Sequence, residues 1–444
     1  MAFSSFRIPA ITFMKLASGG SGTTAIRQLR SSQYSKNILF LRAILSSAIA
    51  TYHPQATSVR NAYDLLSKIQ RQDPASVEYV LTYPAVGVWL WETSRTLNTG
   101  NYLAGRCELE RAMTLAAAVA VRAGFNCSVD MTTDDGTVML PSLGRATLTE
   151  RSRSRFQVRM HVGPDGVQLH DGRHTVALTS DPHTDTPGWQ GLRLLSTTAH
   201  RKRLELLLDD LDEYRLPQMD REERLDEPAC VRLREHLAGA WEMLVRDHHE
   251  TAAEIGSMVK VLTPLRASSG SQLSATFSQA LGCTALTIPD DGLTMAVTLV
   301  HELQHTKLYA LTNLVVLTQG DPADRYYAPW RDDPRPVDAL LQGAYAHLGL
   351  TSFWRQRRRC DTGEERLRAD IQFARWRSAS LTATDTLLAS GGLTPAGVVF
   401  VSHMQATLNA WNNEPVPPSA LAAARDLGSE HRVRWETAHG LAQS

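Results

Sequence analysis

"VTLVHELQHTKLYAL", Val297 to Leu311, sets two histidines four residues apart with a glutamate directly after the first. Positions i and i+4 lie one helical turn apart, so His301 and His305 project from one side, where two imidazoles can share a divalent ion. Glu302 points roughly a third of a turn away from His301, within reach of a ligand or water on that metal. The run carries its own helix signals. Pro289-Asp290-Asp291-Gly292 closes a strand and offers an Asp as N-cap. Val297, Leu299, Val300, Leu303, Leu308, Leu311, Leu314 and Val315 then keep the pattern apolar. The competing reading is a pair of core or surface histidines on an amphipathic helix. The apolar surround favours ligands, because buried imidazoles need partners for their ring nitrogens.

Two protein ligands hold a metal weakly, so a third is expected downstream. In "DALLQGAYAHLGLTSFWRQR", Leu340, Ala344, His347, Thr351 and Trp354 fall on one helical face, which turns His347 inward. The alternative is a core histidine bonded to a backbone carbonyl. The zinc-peptidase pattern H-E-x-x-H-x-x-G-x-x-H fails after His305, since Tyr309-Ala310-Leu311 stands in place of its continuation. Glu364 and Glu365 sit in a polar stretch that reads as exposed, so neither supplies a downstream carboxylate. That counts against a peptidase. A rival H-x-D triplet, His183-Thr184-Asp185, lies among Pro182, Pro187 and Gly188 and reads as a loop.

Outward from this motif, the texture of the chain divides in three. Residues 1–125 look mainly helical, with a helix from Thr23 or Thr24 to Ala50 and more helix in "SVRNAYDLLSKIQ" and "ERAMTLAAAVAVRAGF". Residues 126–255 open on alternating strands broken by Asp135-Gly136, Asp165-Gly166 and Asp171-Gly172, a small antiparallel β region. Helix is expected again from Ser196 to about His249. Residues 256–444 hold a second β stretch, Met258 to Ile288, leading into the H-E-x-x-H helix, then helix and loop. The fold class expected is α+β, mainly helical.

Composition excludes some partners. The 46 basic residues balance 46 acidic ones, which gives no case for nucleic acid or an anionic membrane. "WRQRRRC" and "LLLDDLDEYRL" are charged locally, and both read as solvated helix faces. Five scattered cysteines without a C-x-x-C argue against a disulfide framework and for a reducing cytoplasm. Arg7 and Lys15 interrupt the apolar N-terminal stretch, so no signal peptide is read there, and no run approaches a membrane span.

Several segments, in order, resemble one family. They are "LRSSQYSKNILFLRAI", "LVHELQHTKLYALTNLVVL", "YYAPWRDDPRPVDALLQGAYAHLGLTSFWR" and "FARWR". The family is the 2-oxoglutarate-dependent H-E-x-x-H peptide β-hydroxylases of ribosomal peptide biosynthesis. The block from Leu299 to Trp354 carries most of the likeness. The resemblance implies iron(II), 2-oxoglutarate and O2 as reactants, and hydroxylation of the β-carbon of a residue in a precursor peptide, with or without a leader. His301, His305 and His347 would leave positions open for a bidentate 2-oxoacid and O2. The distal carboxylate of 2-oxoglutarate calls for a guanidinium, and Arg331, Arg335 and Arg375 are the candidates. For the first two, pairing with Asp332 and Asp333 is the competing reading. Glu302 is left between a ligand- or substrate-orienting group and, in the alternative zinc metallopeptidase, a general base. Ser271 to Thr287 reads as an edge strand able to pair with an extended peptide, or as a strand that only builds the sheet.

Overall fold

Apolar periodicity builds the first six helices: α1 (Ala10–Ala17), α2 (Gly22–Ala50), α3 (Ala56–Gln70), α4 (Pro74–Leu81), α5 (Pro84–Thr99) and α6 (Arg111–Ala123). This is a computed structural model that describes residues 7–100, 108–148, 156–217, 222–266 and 272–440. Ser271, the first residue of the expected edge strand, and Cys107, one of the five cysteines, lie outside them. Local chemistry sets the helix ends. Asp73 accepts from the amides of Ala75 and Ser76, with Pro74 at the first helical position. Gly100 and Gly124 close α5 and α6 in the left-handed region. Helix α2 runs where it was expected, but its capping position is Ser21 rather than a threonine. The Ser21 hydroxyl donates to Glu254 instead of to its own helix.

Strands follow: β1 (Cys127–Thr133), β2 (Thr137–Leu140), β3 (Gly144–Thr147), β4 (Phe156–Gly163), β5 (Gly166–His170), β6 (Thr175–Leu178), β7 (Trp189–Gly191), β8 (Arg193–Ala199) and β9 (Lys202–Leu208). The first seven make two antiparallel sheets, ordered β1-β4-β5-β6 and β2-β3-β7. Asp165-Gly166 and Asp171-Gly172 turn true hairpins. Asp135-Gly136 does not, although its carboxylate accepts from the Thr137 amide at 2.9 Å. The turn forms, and the two strands it joins enter different sheets.

The helix expected from Ser196 to His249 is corrected over its first part, which is the β8–β9 hairpin. Its turn uses His200 and Arg201, both at positive φ, without the Asn-Gly or Asp-Gly pair that would mark it. Leu206, Leu207 and Leu208 are all buried, so β9 lacks the alternation of a half-exposed strand. Helix returns only with α7 (Glu227–Asp247) and α8 (His249–Met258).

Next come β10 (Val261–Pro264), β11 (Ser274–Ala275) and β12 (Cys283–Leu286). They join the preceding hairpin in a five-stranded mixed sheet, β11-β12-β10-β9-β8, with β9, β10 and β12 parallel and β11 an antiparallel edge. The remaining helices are α9 (Gly292–Thr312), α10 (Val337–Cys360), α11 (Gly363–Ala389), α12 (Pro395–Asn412) and α13 (Pro418–Ala438). The fold is α+β and mainly helical, with 13 helices among the described residues. No helix among those residues is long and apolar enough to cross a membrane. One hydrophobic core packs α7 to α12 against the mixed sheet. A second packs α3 to α6 against the antiparallel sheets, and α2 feeds both.

Both charged runs depart from the solvated-face reading. Asp209, Asp210 and Asp212 follow β9 into the interior. They are held by the Tyr83 hydroxyl, Arg193 and Arg111 respectively. Burial pushes Asp209 up to about 6, and the Asp212 charge adds to it. In the basic run, Arg357 pairs with Asp247 at 3.0 Å and Arg358 with Asp370 at 2.7 Å, all four side chains buried. A charge run reads as solvated only while its counter-charges are unknown, and apart from Asp361, which pairs with Arg357 four residues on, these lie more than ten residues away.

Candidate metal centre

Asp291 accepts from the Thr294 amide at 2.7 Å and starts α9 where the sequence placed it. His301 and His305 then face one cleft of about 980 Å³, with Glu302 between them on the wall. Their Nε2 atoms are 3.1 Å apart. Helix α10 brings His347 to the same cleft, its ring centroid 5.3 Å from that of His301, while the His301–His305 centroids are 4.8 Å apart. Two imidazoles sharing an ion through bonds of ~2.1 Å place their centroids about 4.5–5.5 Å apart. Both pairs fall in that range. Among the described residues, no group of three or more His, Cys, Asp and Glu side chains meets the geometry of a complete metal site.

The donor chemistry nevertheless suits a cation. His347 Nδ1 donates to the Gly343 carbonyl at 2.8 Å, and His305 Nδ1 meets the Gln342 Oε1 at 3.1 Å. Carbonyl oxygens only accept, so each Nδ1 carries the proton and each Nε2 keeps its lone pair. Burial pulls His301 down to about 4 and His347 well below its ordinary value, so both rings stay neutral, as ligands must be.

Residues the sequence reading missed finish the site. Trp330 stacks on His347 with centroids 4.3 Å apart, and Trp376 packs against the same ring at 4.7 Å. A Cβ at Gly343 would come within 2.6 Å of the Trp330 indole, so only glycine lets that ring lie on α10. The visible signals were the Gly343-x-x-x-His347 spacing and the tryptophan in "PWRDD". Ser274, on edge strand β11, donates to Glu302 Oε1 at 2.6 Å. The other carboxylate oxygen, Oε2, is buried without a partner.

The three arginines separate. Arg331 and Arg335 line the cleft but share Asp333, at 2.7 and 2.8 Å. Partial burial raises the Asp333 carboxyl, and the two guanidiniums override it and hold it at about 2. Arg375 lies over the Trp376 ring, 4.3 Å from its centroid, with no ion pair among the described residues. Its charge is one of those that depress His347. Glu364 and Glu365 are exposed at the start of α11. In the H-x-D triplet, His183 bonds the Leu192 carbonyl at 2.8 Å and Asp185 pairs with Arg224, as befits a structural loop. Comparison with family models and with curated proteins returns no match for this chain.

Proposed function

We propose that the protein is an iron(II)- and 2-oxoglutarate-dependent oxygenase that hydroxylates the β-carbon of a residue in a ribosomally synthesised peptide, in the cytoplasm. The observation that carries this reading is the third ring. The side chain that joins His301 and His305 in the cleft is an imidazole from a separate helix, where a gluzincin peptidase would present a carboxylate. His301, His305 and His347 would hold the iron. With 2-oxoglutarate and O2 it supplies the oxidising power, one oxygen atom going to the peptide and the other to succinate as CO2 leaves.

The chain's own residues do the positioning. Hydrogen bonds from Nδ1 of His305 and His347 fix those rings so that Nε2 faces the cleft. Trp330 and Trp376 cover His347 and keep water from it. Arg331 and Arg335, which line the cleft, are the nearer candidates for the distal carboxylate of 2-oxoglutarate, their charge offset in part by Asp333. Arg375 has no ion pair among the described residues but is not among the side chains that line the cleft. Strand β11 lines the cleft as a sheet edge, which suits main-chain pairing with an extended peptide. Glu302 ties that strand to the metal helix through Ser274, a positioning role that an oxygenase can use.

A zinc peptidase is the second reading, favoured by Glu302 beside the histidines. The Ser274 hydroxyl occupies only its Oε1 and leaves Oε2 without a partner, so it is the third imidazole, not Glu302, that favours the oxygenase. The test is to incubate iron-loaded protein anaerobically with a precursor peptide encoded beside its gene, then add 2-oxoglutarate and air. A gain of one oxygen, ~16 Da, that requires 2-oxoglutarate is expected. Peptide cleaved by the zinc-loaded protein would move the assignment to the peptidase.

A further inference from the structure

A second hollow lies against the neighbouring face of α9, at Thr306 and Ala310, between α2 and the α8–β10 junction. Its volume is about 40 Å³, and it is open on its outer side beside exposed Arg30. The walls are mostly apolar, from Leu29, Met258, Leu281 and Ala310. Lys260 enters this apolar space. Its Nζ donates to the Thr82 hydroxyl at 2.6 Å and lies 5.3 Å from the centroid of the Tyr79 ring, and the Thr82 hydroxyl donates in turn to the Glu78 carbonyl. No carboxylate among the described residues lies within ion-pair distance of that ammonium. Burial pulls Lys260 down to about 8, with Arg30 and Arg122 pushing the same way and Glu78 opposing. Gln33 also lines the hollow; it gives its amide nitrogen to Asn37, and its Oε1 is buried without a donor. An ammonium with no carboxylate partner among the described residues thus faces this small cavity.

We propose that this hollow binds a small aliphatic carboxylate of two or three carbons, its head on Lys260 and its carbons against Leu29, Met258 and Leu281. A carboxylate presents two oxygens to the remaining Lys260 protons. A phosphate would bring more charged oxygens into the same apolar walls than these donors can satisfy. Exposed Arg30, at the rim, supplies a favourable field for entry. The site is independent of the metal cleft, and its occupant would touch α9 one turn beyond Glu302.

Propionate is the probe, with phosphate at equal ionic strength and propan-1-ol as controls, all on the full chain. Propionate should raise the melting temperature. At about ten times its Kd it should slow acetylation of Lys260 by acetic anhydride about tenfold, mapped by peptide mass spectrometry, while exposed lysines react unchanged. Lys260→Met should remove the thermal shift. Equal protection by phosphate or propan-1-ol overturns the proposal, as does a thermal shift that survives Lys260→Met. Should that variant not fold, the acetylation pattern of the unaltered chain decides alone.

Discussion

His347 is held on every side: a carbonyl at Nδ1, one indole stacked on its face and another packed against the ring. Such a ring cannot swing away to seek another partner, which is what a metal ligand requires. His347→Ala should therefore lose bound iron or zinc, read by elemental analysis, with the far-ultraviolet circular dichroism unchanged. Metal content equal to the parent would place the third ligand elsewhere. Gly343→Ala tests the same support from below. The new Cβ would displace Trp330, cost about 1–3 kcal/mol in urea unfolding and weaken metal retention. An alanine variant as stable and as metal-rich as the parent would show that the indole is not held by this contact.

At the scale of elements, α9 is pinned from its far side. Lys307, fully buried, donates to Glu254 of α8 at 2.9 Å and to the Gly19 carbonyl at 2.7 Å. Ser21 completes the pairing of Glu254, and Gln304 reaches the same carbonyl at 3.1 Å. The turn between α1 and α2 is thereby fastened to the helix that carries the histidines. Removing one partner strands a buried charge, so Lys307→Met should cost about 3–5 kcal/mol in urea unfolding. The double variant Lys307→Met, Glu254→Leu should recover much of that loss, because no unpaired charge remains. A double variant as unstable as the sum of the singles would mean that packing, not charge, accounts for the effect. None of this was visible in the motif, where Lys307 is one more polar residue, between Thr306 and Leu308.

At the scale of the whole molecule, acid should loosen the fold through His248. Its ring stacks on Phe353 at 4.5 Å, and burial pulls it from 6.5 to about 4. The folded state then binds this proton less readily than the unfolded chain. Stability that is present above about pH 6.5 is lost as the pH falls towards 4. Asp209 runs the opposite way, since its raised pKa favours the folded state as the pH drops below about 6. The comparison that isolates His248 is therefore between the parent and His248→Phe. The variant should lose less stability between pH 6.5 and 4; parallel curves would remove His248 from the account. Local signals in the chain were enough for α2, for the cap and course of α9, for the inward turn of His347 and for two of three Asp-Gly hairpins. Each depends on neighbours within a turn or two of the same segment. The tertiary structure alone decided the β8–β9 hairpin, the separate sheets of β1 and β2, the burial of both charge runs, the split among the three arginines and the tryptophans around His347. The β8–β9 pairing and the Asp333 ion pairs are local, but the burial of β9, of the charge runs and of His347 depends on partners from a dozen to more than a hundred residues away. A pattern read along one segment carries no record of which distant surface will cover it.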